Sequence, residues 1–87
     1  MCIDNSQTRV AVIAVIVEDN NATEAINELL HDAGRYIIGR MGIPYREKNI
    51  NIISIAIDAP QDVISSLSGR LGRIAGVSVK TAYSNIY

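Results

Sequence analysis

The 87-residue chain has room for a single domain. Its 8 basic and 9 acidic residues leave a net charge of -1, which argues against a nucleic-acid module built on phosphate contacts, and its single cysteine excludes a disulfide framework. Hydrophobic residues make up 48% of the chain; yet a chain of this length buries only about 60% of its unfolded surface, so oligomerisation is the expected route to further stability.

Residues 1–8, MCIDNSQT, read as a flexible polar leader without a signal-peptide pattern, and residues 9–87 as one domain. Cys2 has no helix terminus or cationic cluster nearby to activate it. Arg9–Val17, RVAVIAVIV, carries eight consecutive apolar residues and predicts a strand buried on both faces. That run is far shorter than the ~20 residues that span a bilayer, so no membrane association and a cytoplasmic location are expected.

Asn21 and Glu24 have the spacing of a capping box, and Ala22, Ala25, Ile26, Leu29, Leu30 and Ala33 then share one helical face. Gly34 is positioned to stop this helix in the left-handed conformation. Residues 36–45, YIIGRMGIPY, read as an edge strand, because Pro44 cannot donate to a ladder and a glycine can host a bulge. After a polar turn, residues 50–58 form a third strand with Ile53, Ile55 and Ile57 on one face. Asp58 is placed to cap a second helix with Pro60 in its first turn, Val63, Ile64, Leu67 and Leu71 as its apolar stripe, and Gly72 at its end. Val77–Tyr83 alternates apolar and polar residues, as a strand with one solvated face does.

An internal echo supports this order. Shifted by 38 positions, Ala25, Ile26, Leu29, Ala33, Gly34 and Arg35 fall on Val63, Ile64, Leu67, Leu71, Gly72 and Arg73. Two such units predict an α+β, ferredoxin-like βαββαβ domain. Its four-stranded antiparallel sheet has the order 4-1-3-2, with two helices on one face. Both parities of the first strand are apolar, so the helix-free face exposes a hydrophobic patch. A dimer through that face, or through edge strands continuing the sheet, is expected, with a tetramer also open.

The catalytic inventory is thin: with one histidine there is no nucleophile–base pair, and no zinc or dinucleotide motif occurs. No enzymatic activity, catalytic residue, metal site or cofactor is therefore expected. His31 reads as a surface residue near a helix C-terminus, and Arg70 and Arg73 complement the dipole of the second helix. Gly39 and Gly42 lack the strand-to-helix turn and the lysine of a phosphate loop. The candidate ligand-binding residues are Asp19, Asn20 and Asn21 in the first strand-to-helix loop, whose amides can hold an anion. Arg40, Tyr45 and Arg46 flank the second strand and add donors and a stacking ring. Set against these roles are plain helix capping by Asn20 or Asn21 and plain solvation of the other three.

The runs YIIGRMGIPYRE (residues 36–47) and NIISIAIDAPQDVISSLSGRLGRIAGVSVKTAYS (residues 51–84) resemble a family of small ACT-like proteins. That family is named for regulation of iron-only hydrogenase systems. The resemblance implies an ACT-like fold related to the C-terminal domain of the nickel-responsive regulator, and occurrence in anaerobes near hydrogenase maturation genes. It also implies a non-enzymatic regulatory module, acting as a homo-oligomer with a small-molecule effector or a partner protein of the hydrogenase system. The alternative is an assembly accessory that works only through protein–protein contacts. The loop at residues 19–22 lacks the glycine typical of amino-acid-binding ACT domains, and one histidine is too few for the nickel site of the relatives. A leader of eight residues is too short to form a DNA-binding segment, so direct nucleic-acid binding is not expected.

Overall fold

The computed structural model describes residues 7–85. The leader expectation for residues 1–6, Cys2 included, therefore lies outside the described residues. The element order is β1 (Arg9–Val17), α1 (Thr23–Asp32), β2 (Ile37–Tyr45), β3 (Ile50–Ala59), α2 (Gln61–Gly72) and β4 (Val77–Tyr83), with short 3-10 turns at Asn20–Ala22, Gly34–Tyr36 and Arg46–Lys48. The strands form one antiparallel sheet in the order β2-β3-β1-β4. This is the α+β ferredoxin-like arrangement anticipated from the sequence, and α1 and α2 begin at Thr23 and Gln61, the offset of the internal echo.

Strand alternation decides which side chains meet the helices. Ala11, Ile13, Val15 and Val17 of β1 and Ile55, Ile57 and Ala59 of β3 are buried. Ile26 and Leu30 of α1, with Ile64, Leu67 and Leu71 of α2, complete this core, whose buried residues are all apolar. At the chain's ends, the Arg9 guanidinium lies 4.6 Å from the Tyr83 ring centroid and donates to the Ser84 carbonyl at 2.8 Å, tying β1 to the end of β4.

The opposite parity of β1 is not covered. Val12 and Ile16 are 43% and 41% exposed, so β1 is buried on one face only within a single chain, and not on both as its composition suggested. The registers place Ile43, Ile52, Ile16 and Ser78 in one row across this helix-free face, and Met41, Ser54, Ala14 and Lys80 in the next. Small residues occupy the centre and larger apolar ones surround them. Lys80 stands at the β4 edge.

β2 is an edge strand that contains Pro44, and its register with β3 shifts between Ile37 and Gly39, as expected for a bulge at a glycine. Three terminus assignments differ from the sequence reading. The side chain before α1 that caps a turn is Asp19, which accepts from the Asn21 amide at 2.9 Å, so neither Asn20 nor Asn21 is the cap. The intervening 3-10 turn displaces the α-helix start to Thr23 and dissolves the Asn21–Glu24 box. Asp58 remains within β3, and α2 opens at Pro60 without a side-chain cap, because the strand runs one residue further than expected. Gly34 does not take the left-handed conformation: α1 tightens into the 3-10 turn at Gly34–Tyr36. The left-handed glycine is Gly76 (φ 80°), just before β4.

Gly76 also seats the β1–α1 loop. Its carbonyl accepts from the Glu18 amide at 2.7 Å, and a Cβ at this position would stand 2.5 Å from the Asp19 Cβ. Only glycine satisfies both the dihedral and the close approach.

Candidate functional site

The helical layer is narrower than the sheet. Along β2 only Ile37 is half-buried and every later residue is exposed, so the strand overhangs α1. Arg40, Gly42 and Pro44 pair with Ile55, Ile53 and Asn51, which places them on the helix side of the sheet. With two of these positions carrying a glycine and a proline, little side-chain bulk fills the space toward α1. A cleft of about 300 Å³ results. Val17, Ile26 and Ile53 form its apolar floor, and Thr23, Asn27, Arg40 and Asn51 supply its polar groups. Arg40 Nη2 donates to Asn27 Oδ1 across 3.3 Å, which spans the cleft from strand to helix.

A smaller recess of about 170 Å³ shares Pro44 and Asn51 with this cleft and adds Asn20, Tyr45, Arg46, Asn49 and Ile50. Asn51 Nδ2 donates to Asn20 Oδ1 at 3.3 Å between the two spaces. Asn49, in the left-handed conformation (φ 57°), closes the 3-10 turn and carries the chain from Arg46 into β3.

The six residues singled out in the sequence thus separate. Arg40 lines the larger cleft, while Asn20, Tyr45 and Arg46 line the smaller recess. Asp19 and Asn21 line neither. The loop amides offered as an anion cradle are engaged internally: that of Asn21 bonds the Asp19 carboxylate and that of Ala22 the Asp19 carbonyl. The loop supplies its own anion.

Sequence reasoning missed Asn27, Thr23 and Asn51. Asn51 did carry a signal, as a polar residue on the core-facing parity of β3. Asn27 lies on the polar face of α1 and carried none. No carboxylate lines either space, and the charged side chains that do are the guanidiniums of Arg40 and Arg46. The arrangement offers recognition chemistry: a planar donor fork, amides and a hydroxyl above an apolar floor. By contrast, the groove between α1 and α2, about 330 Å³, mixes Asp32, Asp62 and Arg70. Among the described residues no group of three His, Cys, Asp or Glu side chains could hold a metal ion, and no helix is long and apolar enough to cross a membrane.

Residues 9–81 match the TM1266-like family model, described as "Iron-only hydrogenase system regulator, putative". Among solved structures, the chain is similar to the uncharacterized protein TM1266 from Thermotoga maritima, at 38% identity and a TM-score of 0.85, covering 88% of this chain and 98% of that one. The C-terminal domain of the MgtC protein from Mycobacterium tuberculosis shares the fold at 11% identity and a TM-score of 0.72, with 97% and 96% of the two chains covered. CPII from Thiomonas intermedia K12, solved with ADP, AMP and acetate, shares it at 18% identity and a TM-score of 0.51, with 88% and 89% covered. No curated protein matches the chain.

Proposed function

The chain belongs to the TM1266-like family, and from that premise we propose that it is a non-enzymatic regulatory module that works as a homo-oligomer through its helix-free sheet face. In this reading it acts in the cytoplasm on an iron-only hydrogenase system, through a partner protein and in response to a small effector. The observation that carries the oligomer is the uncovered parity of β1 and β3. Val12, Ile16 and Ile52 are each at least 40% exposed on a face whose β1 residues are all apolar.

Size and charge favour a second copy of the chain as the covering partner. Four strands about 4.8 Å apart, each offering about seven residues of about 3.4 Å, give a flat footprint of roughly 450 Å². The apolar part of that footprint falls in the range of the largest patch on a typical monomer, and such patches are often functional. Two such faces together reach roughly 900 Å², close to the ~1,000 Å² expected of a specific contact. In the rows through Ile16 and Ala14 the central strands β1 and β3 hold no charge, and Lys80 at the β4 edge can carry its ammonium out to water while its stem stays on the face. A two-fold pairing brings the same patch to both copies.

Light scattering on the eluting protein tests this. The wild-type chain should scatter as a dimer or tetramer, and Ile16→Lys should scatter as a folded monomer, because it leaves the core parity untouched. A monomeric wild type at tens of micromolar (a concentration at which even modest interfaces assemble) would overturn the proposal. An oligomer that survives Ile16→Lys would move the contact to the edge strands.

A further inference from the structure

We infer that the cleft between β2 and α1 is a binding site for a small organic carboxylate with a short, branched apolar body. This deepens the regulatory reading by giving its effector a chemical class, and it rests on that reading for its biological sense.

Three observations carry it. The first concerns Ile53. It stands on the core-facing parity of β3 between Asn51 and the buried Ile55, yet it is only half-buried, with Gly42 as its ladder partner on β2. With the buried Val17 and Ile26 it lines an apolar floor, of which Ile53 is the part left open. An apolar group of a few carbons would complete that packing.

The second is the charge at the rim. Arg40 presents a guanidinium with five N–H donors, and its bond to Asn27 Oδ1, at 3.3 Å, engages one of its nitrogens at long range. The planar fork matches a carboxylate in bidentate geometry. No acidic side chain lines this cleft or the recess beside it. The same absence selects among ligands: an α-amino acid would bring an ammonium group with no carboxylate to receive it, so the deaminated acid is preferred.

The third is size. A volume of about 300 Å³ is at the small end of the ~300–1,000 Å³ usual for ligand sites. Gly42 keeps the space open: a Cβ there would meet nothing within 4 Å. Its partner in the ladder is Ile53, so a side chain at this position would lie along the floor of the cleft.

The test is a titration of the full-length chain with 3-methylbutanoate, followed by proton–nitrogen correlation spectra, with leucine and 3-methylbutylamine as matched controls. Saturable shifts are expected at Thr23, Asn27, Gly42 and the Asn51 side-chain amide. Arg40→Gln should weaken binding at least about tenfold, Arg40→Lys should fall between it and wild type, and both controls should bind at least about tenfold more weakly. Gly42→Val should fill the cleft and abolish the shifts while leaving a folded spectrum, since its branched side chain suits a strand. No saturable shift in the wild type, unchanged affinity in Arg40→Gln and Gly42→Val, or equal binding of leucine would each overturn the inference. Light scattering on the same samples keeps the two proposals apart. Loss of binding with the oligomer intact removes only the carboxylate site, whereas binding to a monomer removes only the assembly reading.

Discussion

The two faces of β1 are nearly alike in composition and opposite in circumstance. On β1, Ala11, Ile13, Val15 and Val17 lie beneath the helices, while Val10, Val12, Ala14 and Ile16 look outward from the same strand. Both sets are aliphatic, so hydrophobicity alone does not mark which is the core. The helices do that, and they attach to one side only. In the proposed assembly a second copy of the chain covers the apolar face that the helices leave open. The faces also differ in texture: the covered one is built of large interlocking side chains, the open one of small central residues such as Ala14, Ser54 and Ala56. A flat surface of that kind suits another flat surface.

Substitutions can break this contrast in order of expected effect. Ile13→Ala removes a fully buried side chain and should cost about 3–4 kcal/mol of unfolding free energy at any protein concentration, measured by urea denaturation. Gly76→Ala should cost about 2 kcal/mol or more, because alanine resists the positive φ and its Cβ would press on Asp19. A loss below about 0.5 kcal/mol there would show that the β1–α1 loop is not held as described. Asp19→Ala should cost about 1 kcal/mol, largely restored by Asp19→Asn, since the amide oxygen can also accept from the Asn21 backbone. Val12→Thr, on the open face, should change the stability of the monomer by no more than about 0.5 kcal/mol. Its effect should appear instead as weaker association, seen as a melting temperature that begins to fall at a higher protein concentration on dilution. If Val12→Thr and Ile13→Ala cost the same at high dilution, the two faces are not different in kind.

Most of the fold could be read from the chain because its signals are distributed over many residues. The bounds of β1 and β4, the edge position of β2 and the pairing of the two βαβ halves each follow from patterns that survive an error at any one position. The caps did not follow, because each depends on the dihedral angles of one residue. Asp58 had the right chemistry for a cap but was retained by the ladder opposite Val10, and Gly34 had the right freedom but was not required to use it. The role of Gly76 could not be read locally either, because the atom that excludes a side chain there comes from Asp19, far away in the sequence.

The candidate site divides along the same line. Arg40, Asn20, Tyr45 and Arg46 stood out as donors and a ring in or near loops, and the structure gathers them around two adjoining spaces. Asp19 and Asn21 stood out instead, as Asn20 also did, for the backbone amides of their loop, and they serve the loop itself. Asn27 became visible only once α1 was laid beside β2, since its place in the cleft is set by tertiary contact, whereas Asn51 carried a local signal in its polar place on the core-facing parity of β3.

The most direct test of the account asks which atoms of one chain touch another. In a sample mixed from isotopically labelled and unlabelled chains, filtered nuclear Overhauser spectra report only contacts between copies. The account predicts cross-peaks from the methyl groups of Val12, Ile16, Met41 and Ile52, all on the helix-free face. Intermolecular cross-peaks confined to helical residues such as Leu29 and Val63, or none at a concentration where light scattering shows an oligomer, would contradict it.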